Sequence, residues 1–254
     1  MNTELYYNKY TIDKHMPLIL RINTNLDKYK GILNEPYDFL YNDSFTQTVM
    51  SLSKTIPNFK FAFLGYDEAF LLLMDSDEHW LDYDIQSIIN TTTSHCILTF
   101  YRLFSNVIKD TTGYYEGLKR YRDMMYEAEY NGLISDYEIF NKYKKLKDNP
   151  LTFSSKIYSI PIIKVIDFLS DRQEEYNIKM FRKYAKTVIA EEDLKDKTDL
   201  EIFEMLNMKN SSFRSAQQFL KTGICFSKKN NYVLDFEVPL FSKDREYIAD
   251  SMID

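Results

Sequence analysis

The sequence predicts an α+β fold, a ferredoxin-like βαββαβ core carrying a helical annex and C-terminal helices. Three observations support this. Hydrophobic periodicity runs strand, helix, strand, strand, helix, strand, which is the order of that unit. Two apolar runs, Phe59 to Leu64 and Ala69 to Met74, are separated only by Gly65-Tyr66-Asp67-Glu68, the spacing of a β-hairpin with an acidic pair at its tip. Six glycines and six prolines in 254 residues are too few for the turns of an all-β sandwich and suit long helices on a compact sheet.

Taken in order, Pro17 to Ile22 is a buried strand that runs out into the polar string Asn23-Thr24-Asn25. Residues Asp43 to Thr55 place Phe45, Val49, Met50 and Leu52 on one helical face, with Ser44 as the cap, and Pro57-Asn58 turns the chain into the hairpin. Asp84 to Ile108 contains neither Gly nor Pro and spaces its apolar residues by three and four, so it reads as a long helix. Gly113 to Asn149 is charged, rich in tyrosine and helical, with a break at Asn131-Gly132. Lys156 to Ile160 is a strand stopped by Pro161, and Ile162 to Ala190 is helical again. Shorter helices are expected over Asp199 to Leu206 and Ser212 to Leu220. The alternating tail from Tyr232 to Phe241 is expected to be an edge strand or a partner-binding arm.

The formal net charge is −6, so a nucleic-acid partner would have to be met by a local basic patch. Cys96 and Cys225 lack metal-ligand or redox spacing and read as reduced core residues. His15, His79 and His95 are scattered, which excludes a histidine-rich metal site, and His95 reads as a satisfied core residue. The polar N-terminus and the absence of a long apolar run predict a cytoplasmic protein without a membrane partner.

The chemistry concentrates where the first strand ends and the hairpin turns. In palm-type polymerases, which share the βαββαβ core, carboxylates from these two places sit side by side and hold Mg²⁺. Such crowding of like charges is tolerable because the cation neutralises it. Here the hairpin offers Asp67 and Glu68, whereas the strand end offers Asn23. Read alone, Asp67-Glu68 and Asn23-Thr24-Asn25 are ordinary turns. Arg172-Gln173, Lys179, Arg182, Lys183 and Lys186, on a helix with Glu174 and Glu175, read as a salt-bridged surface face, with ligand binding as the alternative. Lys142, Lys144, Lys145 and Lys147, interleaved with Tyr143, read as a solvated helix end, with contact to a phosphate backbone as the alternative.

In combination these segments resemble the tRNA-His guanylyltransferase family. In that family a strand ending Arg-hydrophobic-Asp-Gly-Arg precedes a helix and then a segment like Phe-Pro-Asp-Ile-x-Phe-Ala-Tyr-Gly-x-Ser-Asp-Glu. This chain has Leu20-Arg21-Ile22-Asn23-Thr24-Asn25 and then IPNFKFAFLGYDEAFLLL from Ile56 to Leu73. The family's Phe-Asp-x-Arg, Pro and Trp-Arg-Gln-x-x-x-His series is matched by Phe153-Ser154-Ser155-Lys156, Pro161 and Asp171-Arg172-Gln173-Glu174-Glu175-Tyr176-Asn177. The similarity covers most of residues 17–110 and 153–226, which implies one palm-type domain over 1–254 with an insertion at 113–149.

The resemblance implies a reverse polymerase, an oligomer that uses Mg²⁺ and a nucleoside triphosphate, GTP or ATP, to extend an RNA 5′ end, with tRNA as the RNA partner. Asp67 would be a catalytic metal ligand with Glu68 supporting it, and Asn23, or Asp27 in its stead, would complete the metal shell. Thr24 stands where a glycine carbonyl helps coordinate. Asn25, Lys28, Arg172 and Asn177, together with Asn23, Thr24 and Asp27, would contact the nucleotide.

Four departures weigh against turnover. Asn23 removes a carboxylate, and Thr24-Asn25 replaces Gly-Arg. Asn177 replaces a histidine, and the start of the long helix, Asp82 to Ser87, lacks the family's triphosphate-gripping cations. Three functions therefore remain open: a divergent nucleotidyltransferase, a silent relative that binds or sequesters a nucleotide, and a protein-interaction scaffold built on the annex.

Overall fold

The computed structural model describes residues 16–26, 29, 31–74, 80–109 and 151–253. The expected annex at 113–149, and with it the lysine run from Lys142, lies outside the described residues, as do Asp27 and Lys28.

Five strands form one antiparallel sheet: β1 (Leu18–Thr24), β2 (Phe59–Leu64), β3 (Glu68–Leu73), β4 (Phe153–Ser159) and β5 (Ile224–Ser227), in the order β4-β1-β3-β2-β5. The first four strands, with helix α1 (Phe39–Ser53) between β1 and β2 and α2 (Ile85–Lys109) between β3 and β4, are the expected βαββαβ unit. The fifth strand is an addition. The run Ile224-Cys225-Phe226-Ser227 pairs with β2, and four residues are too few to show a period.

Alternation along the strands divides the interior in two. Leu18, Leu20 and Ile22 of β1 and Ala69, Leu71 and Leu73 of β3 face α1 and α2, where they meet Phe45, Val49, Leu52, Cys96 and Phe100. Ile19 of β1, Phe61 and Phe63 of β2, and Phe70 and Leu72 of β3 point to the other face. There they are covered by α3 (Ile162–Val188) through Val165, Leu169, Tyr176 and Met180. Each fully buried aromatic among these contributes roughly 2–3 kcal/mol of transfer free energy. A small third cluster joins the end of α3 to α4 (Glu191–Leu194) and α5 (Asp199–Met208), the latter opened by a Thr198–Glu201 capping box.

Several element boundaries differ from those expected. Helix α1 starts five residues before Ser44, because Asp38 rather than Ser44 is the cap and accepts a 3.0 Å hydrogen bond from the Tyr41 amide. Ser44 is instead buried inside the helix. The helix expected over 212–220 is a single 3-10 turn, Phe213–Ser215, followed by α6 (Gln218–Thr222), with Ala216 and Gln217 extended between them. The tail from Tyr232 is neither an edge strand nor an arm. It makes one bridge to β5, at Asp235 to Cys225, and then buries Val238 and Phe241 against the α3 face before α7 (Glu246–Met252) closes the chain. Its alternation reflects anchoring at two points rather than a ladder.

Gly223, between α6 and β5, is at φ +78°, and a Cβ there would lie 2.4 Å from Phe63 Cε2 and 2.7 Å from the Leu64 carbonyl oxygen. Gly223→Ala therefore combines backbone strain with overpacking. It is expected to lower stability by about 3 kcal/mol, seen as a lower urea midpoint at unchanged slope.

Candidate functional site

Strand length and helix length together create the site. A seven-residue strand spans about 23 Å, whereas the 27 residues of α3 span about 40 Å. The helix starts beside the beginning of β1, runs back across the sheet and overhangs the end where β1 stops and the β2–β3 hairpin turns. Its apolar stripe, Val165, Leu169, Tyr176 and Met180, lies on the sheet. One position round the helix, Lys179, Lys183 and Lys186 follow at intervals of four and three. They form a second stripe facing the space beyond the strand ends.

A cavity of about 640 Å³ fills that space. Its floor is Asn23, Thr24, Asn25 and Leu26, the hairpin supplies Tyr66 and Asp67, Thr152 to Ser154 close one side, and the three lysines and Glu35 complete the charged lining. Three cations against two carboxylates make this a locally basic place on a chain of net charge −6.

The floor is rigid. The Thr24 amide donates to the Asp67 carbonyl at 2.8 Å, the Thr24 hydroxyl shares a 2.6 Å hydrogen bond with the Tyr41 hydroxyl, and Thr24 is 1% exposed. Gly65 and Glu68 close the hairpin through a 2.8 Å bond from the Gly65 amide to the Glu68 carbonyl, leaving Tyr66-Asp67 as its two-residue tip. The register sets Asn23 opposite Glu68, so the sequence-predicted residues Asn23, Thr24, Asp67 and Glu68 are brought together.

Both carboxylates already have cations. Asp67 takes both oxygens to Lys179 Nζ, at 2.6 Å and 2.5 Å. Glu68 is held by Arg21, whose guanidinium approaches Oε2 at 2.7 Å from the same sheet face. Lys183 lies with its ammonium 3.5 Å from the centroid of the buried Tyr66 ring. Burial pulls its pKa down from 10.5 to about 8, against the opposing pull of Glu35 and Asp67 and with further lowering from Lys179 and Lys186. Lys186 is paired with Glu191 at 2.7 Å.

This donor set fits a divalent cation poorly. Asn23 offers an amide, Asp67 is neutralised by Lys179, and among the described residues no three acidic, histidine or cysteine side chains are grouped to hold a metal.

The helical motif that suggested nucleotide contacts lies elsewhere. Arg172 pairs with Glu175 at 2.6 Å and stacks over Phe168, while Asn177 donates to the Lys221 carbonyl at 2.8 Å, and neither lines the cavity. Gln173 is 2% exposed, donates to the carbonyls of Thr222 and Pro239 and accepts from the Phe241 amide at 2.8 Å. It ties α3 to the C-terminal segment. Gln173→Leu leaves those three backbone groups unmet and is expected to cost about 3 kcal/mol in denaturant unfolding. His95 is half-buried rather than a core residue and meets the Ser51 hydroxyl at 3.2 Å.

The whole chain can be laid on known structures. A bacterial tRNA(His) guanylyltransferase (Thg1)-like protein in complex with ATP superposes with a TM-score of 0.74 at 19% identity, over 99% of this chain and 96% of that one. The fold is that of the tRNA-His guanylyltransferases. A bacterial Thg1-like protein in complex with GTP gives a TM-score of 0.69 at 17% identity, over 99% of this chain and 95% of that one. The tRNA(His) guanylyltransferase of Saccharomyces cerevisiae gives 0.62 at 14%, over 95% and 97%. No family model matches the chain, and no curated protein matches it in sequence. The Thg1-like architecture is thus matched at 14–19% sequence identity. No helix among the described residues is long and apolar enough to cross a membrane.

Lys179, Lys183 and Lys186 read from the sequence first as a salt-bridged surface face, and the structure puts them in the cavity lining. Their spacing beside the apolar stripe, on a helix much longer than the strands it covers, was the available signal.

Proposed function

We propose that the cavity binds a nucleoside triphosphate, with the polyphosphate lying along Lys179, Lys183 and Lys186 and the base and sugar toward Tyr66, Leu26 and Asn25. The observation that carries this reading is the line of three ammonium groups over a preformed cavity. The size suits a nucleotide, since small-molecule sites run roughly 300–1,000 Å³. The cations supply the charge that the start of α2 lacks. ATP and GTP in the two bacterial relatives of this fold support the ligand class.

A second reading is Mg²⁺-dependent addition of a nucleotide to an RNA 5′ end, favoured by the adjacency of Asp67 and Asn23 at the strand ends. It requires another carboxylate, for which Asp27 is the candidate in sequence. The two readings part in one experiment. Titration calorimetry with GTP and ATP is expected to show one saturable site. A parallel assay for pyrophosphate release on 5′-triphosphorylated and 5′-monophosphorylated tRNA is expected to show no turnover. Turnover would establish the second reading, and absence of binding would remove both.

A further inference from the structure

We infer that Lys179 takes the place of the divalent ion in this site, so that the cavity binds the phosphates of a nucleotide without metal. This rests on the nucleotide reading above and states how the charge of the ligand is met.

Position is the first support. The ammonium of Lys179 touches both oxygens of Asp67, the carboxylate at the hairpin tip, so it occupies the coordination sites that a metal would need. Lys179 is not wedged there by packing, since its side chain is 44% exposed. Asp67, only 16% exposed and fixed by the hairpin, is what places it.

Charge is the second support. Mg²⁺ binds where carboxylate charge is available and keeps near-octahedral oxygen ligands. At the strand ends Asn23 contributes no charge, and Arg21 and Lys179 cancel Glu68 and Asp67. A divalent ion entering would have to expel Lys179 toward Lys183 and would then share the cavity with three ammonium groups.

Continuity is the third support. Lys179, Lys183 and Lys186 lie in one line, so a chain of phosphates that meets Lys179 beside Asp67 extends directly onto the next two cations. Lysine serves such contacts as a point charge.

The test uses the full-length protein. GTP, ATP and inorganic tripolyphosphate are titrated in EDTA and again in millimolar Mg²⁺, and Mn²⁺ binding is read separately by electron paramagnetic resonance. The expected result is nucleotide affinity in EDTA within about threefold of that in Mg²⁺, and no Mn²⁺ site tighter than the millimolar range. Binding that appears only with Mg²⁺, or a micromolar Mn²⁺ site, overturns the inference and leaves the nucleotide reading standing. Failure to bind in either buffer removes both. The double variant Asn23→Asp/Lys179→Met, checked for folding by its thermal transition, is expected to reverse the behaviour. It should lose at least tenfold in affinity in EDTA and gain an Mn²⁺ site. The folded variant binding nucleotide in EDTA as tightly as the parent would also overturn the inference.

Discussion

Lys183→Met is expected to abolish measurable nucleotide binding and at the same time to stabilise the protein. The lysine lies largely buried against Tyr66, and its pKa is drawn from 10.5 down to about 8, so the folded state pays to keep it charged at neutral pH. Contact with the Tyr66 ring returns part of that cost, on the order of 1 kcal/mol, and screening at the cavity mouth reduces it further. The net gain from a methionine of similar length is therefore set at about 1–2 kcal/mol at pH 7. The sign with pH follows from proton counting. Between pH 8 and 10.5 the unfolded chain holds a proton on this lysine that the folded chain has released, so the stability of the parent rises with pH through that window. The advantage of the variant is accordingly full below pH 8 and shrinks toward pH 10.5. Urea unfolding at pH 7 and pH 10 measures both terms, and calorimetry with GTP measures the loss of binding, expected to exceed tenfold. A lysine present only for structure would give a variant that is destabilised or neutral and still binds.

Asp67→Asn separates a lysine site from a metal site by the direction of its effect. In a metal site, removing the hairpin carboxylate destroys binding. In a cavity where lysines meet the phosphates directly, it removes a negative charge from the lining and releases Lys179 from its ion pair. One unit charge about 6 Å from a polyphosphate is worth on the order of 1–2 kcal/mol when partly solvated. Nucleotide affinity in EDTA is therefore expected to rise by roughly fivefold to thirtyfold. Equilibrium dialysis with labelled GTP reads this directly, and a fall would count against the account.

These two residues show how unevenly the sequence exposed its structure. The sheet and its two main helices were legible because the short apolar run Leu18 to Ile22, the hairpin around Gly65 and the long uninterrupted stretch of α2 are local signals. The adjacency of Asn23 with Asp67 and Glu68 followed from the topology, which places the end of β1 beside the tip of the hairpin. Strand β5 was not legible, because it is four residues long and is stabilised by pairing to β2 and by Phe226 meeting Phe59. Nor was the role of the lysines. Whether a helical lysine faces water or a cavity depends on what lies opposite it, and Asp67, 112 residues before Lys179, is brought there only by the fold. Arg172 and Asn177 illustrate the converse. A motif matched by order in the chain can serve packing, as Asn177 does in holding the Lys221 carbonyl.

The central claim, that a nucleotide lies along Lys179, Lys183 and Lys186, is tested most directly by lysine footprinting. The protein is acetylated briefly with and without saturating GTP, and modification of each lysine is quantified by mass spectrometry. The account predicts at least threefold protection of Lys179, Lys183 and Lys186 and none at Lys209 or Lys243, which lie outside the cavity lining. Unchanged modification of the three cavity lysines under saturating GTP would contradict it.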